Sequence, residues 1–208
     1  MTAARRPRLA GVRRLGVFGG TFDPPHVGHL ALAERAREEL RLDRVLFVPA
    51  GTPPHKSAAR ASVAHRLAMT RAAVRGNPAF ALSTIETRRA GPSYTADTLA
   101  AIARAHPRAR LFLLMGADMY ATFDSWARPD EIAALATLVV ALRPGVKPPR
   151  DSRAATRGRG VRRLSNPALE VSSSALRTVA ARGRSLRYLV PDAVARYVAK
   201  HRLYRRSR

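Results

Sequence analysis

Apolar residues along this chain gather into short runs separated by stretches of helical spacing, and the alternation repeats. Leu15–Gly19 (LGVFG) is an apolar run of buried-strand length, followed by a Gly- and Pro-rich turn. Val27–Leu42 then places Leu30, Ala33, Ala36 and Leu40 at helical spacing, and Arg44–Val48 is a second strand. Strand, tight turn, helix and strand make a βαβ unit, which implies parallel strands and a right-handed crossover. The pattern continues with a helix over Ser62–Arg75, broken by Gly76-Asn77-Pro78, and a strand over Phe80–Ile85. A helix over Tyr94–Ala105, with Ser93 as its expected cap, precedes a strand over Arg110–Met115. Pro129–Leu135 is a short helix before the strand Thr137–Leu142, and Ser173–Arg182 and Pro191–His201 are two more helices. The fold predicted is α/β, a Rossmann-like doubly wound parallel sheet with a small helical C-terminal part.

At 208 residues the chain suits one domain, which we expect over residues 15–208, after a disordered basic tail at 1–14. Residues 143–163 are rich in Pro, Gly and Arg and are expected to form a mobile loop. The 46% apolar content suits a globular protein, and no apolar run approaches the roughly 20 residues that span a bilayer. The basic N-terminus lacks the apolar segment of a secretory signal, so the expected location is cytoplasmic. The lack of cysteine excludes disulfides and thiolate metal sites.

The net charge of +24 is unevenly placed. Residues 1–14 carry five arginines and no acid, and residues 143–208 carry 18 basic residues against Asp151, Glu170 and Asp192. Such an excess can be an electrostatic footprint for nucleic acid. It can equally be compositional bias, because all basic residues but Lys56, Lys147 and Lys200 are arginine and the basic stretches lack interleaved aromatics. We read it as bias that also attracts anionic substrates, and expect no specific nucleic acid and no membrane partner.

The chemistry concentrates after the first strand, in Gly19–His29 (GGTFDPPHVGH). Glycines there let an anion approach the main chain, and the helix starting near Val27 directs its N–H groups and positive dipole end at the turn. His26 and His29, three apart at a helix start, can meet one ligand. No third residue at convincing spacing completes a metal site, so no protein metal ligand is assigned.

This segment resembles the (H/T)xGH motif of nucleotidyltransferases, and four later blocks narrow the resemblance to bacterial nicotinate-nucleotide adenylyltransferases. Thr52–Lys56 (TPPHK) resembles the PPHK loop of that family. Glu86, with Arg88 or Arg89, and then Gly91–Leu99 (GPSYTADTL) resemble its ExxRxGPSYTxDTL segment. Gly116-Ala117-Asp118 with Trp126 fits GADxxxxFxxW, and Val171–Arg177 (VSSSALR) is similar to ISSTxIR, with Val171, Ser174 and Leu176 as like-for-like departures.

The resemblance implies transfer of AMP from ATP to nicotinate mononucleotide, giving nicotinate adenine dinucleotide and pyrophosphate in NAD biosynthesis. It implies that His26, His29 and Arg177 act on the phosphates, and that Gly19, Gly20, Thr21, Phe22, Gly116, Asp118, Ser172 and Ser173 bind ATP. Lys56, Tyr94, Thr95 and Trp126 would bind the acceptor, with Trp126 stacked on its pyridine ring. Mg²⁺ is implied as the companion of ATP, held mainly by phosphates and water. A homo-oligomer is compatible with the sequence. Rival readings are a sister enzyme using nicotinamide mononucleotide or phosphopantetheine and, in a different class, a basic nucleic-acid-binding protein.

Overall fold

The computed structural model describes residues 11–51, 59–142, 149–165 and 169–205. Six strands form one all-parallel sheet: β1 (Arg14–Gly20), β2 (Arg44–Pro49), β3 (Phe80–Leu82), β4 (Arg110–Gly116), β5 (Ala136–Leu142) and β6 (Val161–Ser165). Their order across the sheet is β3-β2-β1-β4-β5-β6. The direction of winding therefore reverses between β1 and β4, which pair in parallel from Arg14↔Arg110 to Phe18↔Leu114. Crevices for ligands open at the carboxyl ends of strands flanking such a reversal.

Strand periodicity sorts the core into two faces. Leu15, Val17, Leu46, Val48, Leu111, Leu113, Leu138 and Val140 point to the side covered by α3 (Thr95–Ala105), α5 (Pro129–Leu135) and α6 (Arg153–Arg157). Phe18, Val45, Phe47, Phe112, Leu114 and Val139 point to the other side, where α1 (Val27–Glu39) supplies Leu32, Ala33 and Ala36. A third cluster joins α2 (Val63–Val74) to the C-terminal helices α7 (Ser173–Ala181) and α8 (Asp192–Lys200) through Met69, Leu176, Val190, Val194 and Val198. The remaining helix, α4 (Ala117–Ala121), continues directly from β4 and is followed by a 3₁₀ turn at Phe123–Ser125.

Four expectations change. The expected loop 143–163 contains α6 and the start of β6 in its described part. β6 was hidden because it is an Arg-rich edge strand with only Leu164 fully buried. Arg13 and Arg14, expected in the disordered tail, are ordered: their N–H groups donate to Asp43 Oδ2 at 2.7 and 2.9 Å, and Arg14 opens β1. Finally, α3 is capped at Tyr94, not Ser93, and the strand expected to Ile85 ends at Leu82.

Candidate active site

β1 delivers Gly19 and Gly20 to the sheet edge. A β-carbon on Gly20 would sit 3.0–3.3 Å from the ring of Phe22, so glycine lets that ring pack tightly back over the strand. Phe22 is held at φ 50°, a costly backbone angle for a side chain of this size, by burying its ring edge-on to Phe18 and against Phe47. The loop thus reverses tightly and starts α1 at His26, whose φ of −141° and ψ of 171° are those of an N-cap residue. The first helical N–H, at Val27, donates to Leu189 O at 3.1 Å and ties the C-terminal segment to this helix start.

The two histidines are stacked, with ring centroids 3.6 Å apart at 28°. His29 accepts a hydrogen bond at Nδ1 from the His26 N–H (3.2 Å), which puts the proton of a neutral His29 on Nε2. Phe22 packs edge-on against the His29 ring at 5.1 Å. His26 is 7% exposed, and burial pushes its pKa down to about 4, so it is neutral at physiological pH. Its Nδ1 is buried without a hydrogen-bond partner among the described residues.

α7 closes onto the same loop. Ser173 Oγ donates to Pro24 O at 2.9 Å, and Arg177 Nη1 donates to Asp23 O at 2.9 Å. Ser172 caps α7, accepting at Oγ from the Ala175 N–H. A hydroxyl that accepts this way still has its proton to give, whereas that of Ser173 is already committed to Pro24. Arg177 keeps several of its five N–H donors. Gly28 fits because a β-carbon there would approach Val171 Cγ1 to 2.9 Å and His26 Nδ1 to 3.1 Å. The GGTFDPPHVGH and VSSSALR blocks therefore form one contiguous site.

At the neighbouring strand end, Gly116 caps α4, and its missing β-carbon leaves room for the Asp118 carboxylate, whose Oδ1 would lie 2.6 Å away. Further out, Tyr94 and Thr95 begin α3. Asp97 of that helix pairs with Arg128 at 2.5 Å, bringing the segment of Trp126 towards it. Trp126 lies 5.5 Å from Phe123 between ring centroids, and its Nε1 donates to Thr122 Oγ1 at 3.4 Å. Ser93 Oγ and Arg89 Nη1 are buried here without partners among the described residues. Lys56 and the rest of the TPPHK loop lie outside the described residues.

Sequence reading missed the buried polar groups beneath this surface. Asp23, 2% exposed, accepts from the Arg60 N–H (2.7 Å), the Ala61 N–H and the Tyr204 hydroxyl (2.7 Å). Burial and the adjacent carboxylate hold the Tyr204 phenol well above its ordinary pKa, so it remains the donor. Glu86 accepts from Thr98 Oγ1 at 2.9 Å, and burial raises its pKa. Asp23 and Tyr204 are 181 residues apart, and no local spacing signals such a pair.

Comparison with known proteins gives the chain's kin. The cytidylyltransferase-like family matches residues 17–179. A protein of Thermomicrobium roseum named probable nicotinate-nucleotide adenylyltransferase is 46% identical over 92% of this chain and 92% of its own length. One of the same name from Salinibacter ruber is 44% identical over 92% of this chain and 97% of its own. Among solved structures, Plasmodium falciparum nicotinic acid mononucleotide adenylyltransferase complexed with NaAD superimposes with a TM-score of 0.76, covering 92% of this chain and 97% of that one. At 18% identity this last likeness speaks for the fold alone.

Proposed function

We infer the working of the crevice from the premise that this chain belongs to the cytidylyltransferase-like family and, within it, to the nicotinate-nucleotide adenylyltransferases. It transfers AMP from ATP to nicotinate mononucleotide, a step of NAD biosynthesis. A 5′-phosphate oxygen of the acceptor attacks the α-phosphorus of ATP, the bond from that phosphorus to the bridging oxygen breaks, and pyrophosphate leaves with the electron pair. The acceptor phosphate, with a second pKa of about 6, is already largely dianionic at neutral pH. No general base is required.

Catalysis then rests on alignment and on donors aimed at developing charge. His29, through Nε2–H, and His26 donate to phosphate oxygens of ATP, beside backbone N–H groups of Gly19–Phe22. Ser172 and Arg177 grip the triphosphate from α7, while Ser173 holds the loop through Pro24. Asp118 accepts from the ATP ribose. Tyr94 and Thr95 offer the start of α3 to the nicotinate carboxylate, Trp126 stacks on the pyridine ring, and Lys56, outside the described residues, is assigned to the acceptor by resemblance alone. The single observation that carries this reading is the direct bonding of α7 to the Asp23-Pro24 turn, which joins the two phosphate-binding blocks at the sheet's reversal point.

Among the described residues no cluster of three His, Cys, Asp or Glu side chains could hold a metal ion. The donor set fits a metal that arrives on the nucleotide, so no protein ligand is assigned to it. Mg²⁺ held by ATP and water would neutralise charge on the leaving pyrophosphate.

A competition assay tests the acceptor. With ATP saturating, nicotinate mononucleotide should give the higher kcat/KM. Equal or higher kcat/KM with nicotinamide mononucleotide would overturn the assignment.

A further inference from the structure

We propose that Arg66 is a positioning residue that locks the ATP half of the site to the acceptor half. Arg66, on α2, is 2% exposed, and its guanidinium donates from Nη1 to Thr21 O (3.1 Å) and Ala50 O (2.6 Å), and from Nη2 to Gly51 O (3.2 Å). These carbonyls lie just past the carboxyl ends of β1 and β2, where the strand ladder no longer supplies partners. Thr21 leads into the turn that carries His26 and His29. Gly51 leads into the segment of Lys56.

The connection continues on the acceptor side. Gly51 packs so closely on Glu86 and Ser93 that a β-carbon would lie 2.6 Å from Glu86 O and 2.9 Å from Ser93 Oγ. The Glu86 carboxylate in turn accepts from Thr98 in α3, the helix that begins at Tyr94 and Thr95. One cation therefore joins the phosphate turn to the elements on which the acceptor rests. Burial pulls the Arg66 pKa down, the mark of a charge held where packing alone would favour an apolar side chain. The negative charge nearby is that of Asp23, itself bonded to the Arg60 and Ala61 amides and to Tyr204.

This inference rests on the adenylyl-transfer reading, in which two bound phosphates must meet in line. A misplacement of about 1 Å costs roughly a hundredfold in rate. The planar fork of arginine fixes three acceptors at once, whereas a lysine ammonium is a point charge that cannot reproduce the fork.

The test uses the full-length chain with Arg66→Lys and Arg66→Met. Steady-state kinetics with ATP and nicotinate mononucleotide, thermal melting and amide hydrogen exchange are measured for each. In both variants kcat should fall about a hundredfold, while KM for ATP stays within about threefold. Exchange should quicken about tenfold in peptides covering 19–29 and 49–51, with β4 unchanged. A folded Arg66→Lys variant with kcat within about threefold of wild type overturns the proposal. So does a loss of protection spread evenly over the sheet, the signature of a merely structural role. If Arg66→Met does not fold, Arg66→Lys decides. Wild type forming no dinucleotide would sink the underlying reading, and the exchange comparison would still decide on the clamp.

Discussion

Val171 Cγ1 stands 2.9 Å from the point where a β-carbon on Gly28 would lie, so the second residue of α1 and the strand-like approach to α7 interlock without space for a methyl group. The same point is 3.1 Å from His26 Nδ1. One added carbon would press on both halves of the proposed phosphate site.

Gly28→Ala therefore sets two effects against each other. Alanine in a helix gains up to about 1 kcal/mol over glycine, whereas overpacking costs about 1–3 kcal/mol. Overpacking should win, with kcat falling on the order of a hundredfold as His26 is displaced. Trimming the neighbour in Gly28→Ala/Val171→Ala should recover about tenfold of that loss. Steady-state rates of the single and double variants check this, and no recovery would show that the contact is not what matters.

His26 links the site to pH. Its pKa is near 6.5 in the unfolded chain and about 4 in the fold, so the unfolded state binds more protons between these values. Stability from this residue is complete above pH 6.5 and is lost as pH falls towards 4. The shift corresponds to about 3 kcal/mol. Urea titrations of wild type and His26→Asn at pH 7 and pH 4.5 should show a smaller acid loss in the variant, whose asparagine does not titrate and suits an N-cap position. Parallel losses would mean that His26 is not buried as described.

Trp126 is the only tryptophan, which makes the proposed acceptor pocket directly readable. Nicotinate mononucleotide should quench its fluorescence in the absence of ATP, through stacking of the pyridinium ring. Trp126→Ala should raise KM for that substrate about tenfold and leave KM for ATP within about twofold. An equal effect on both would place Trp126 outside the acceptor site.

Much of this arrangement was legible in the sequence, for identifiable reasons. β1, β2, β4 and β5 are buried on both faces and read as plain apolar runs, and Gly19-Gly20 and the Pro-rich turn mark where β1 ends. β6 and α6 were not legible. The strand exposes Arg162 and Arg163 and keeps one buried anchor, so it has no alternating signature. Ser93 looked like a cap because a serine precedes a helical pattern, yet its hydroxyl is buried close to Gly51 and the cap falls one residue later. Arg66, Asp23 and Tyr204 come from three distant parts of the chain, and their contacts arise only once the sheet, α2 and the C-terminal segment have packed. Residue types at fixed spacing reveal the surface of a site sooner than the buried polar groups that hold it.

The path of the α-phosphate tests the central claim most directly. The purified chain is incubated with Mg²⁺, nicotinate mononucleotide and ATP carrying ³²P at the α-position, and the products are separated. Attack at the α-phosphorus predicts label in nicotinate adenine dinucleotide and an equal amount of unlabelled pyrophosphate. Label remaining in ATP, or appearing as free AMP or ADP without dinucleotide, would contradict it.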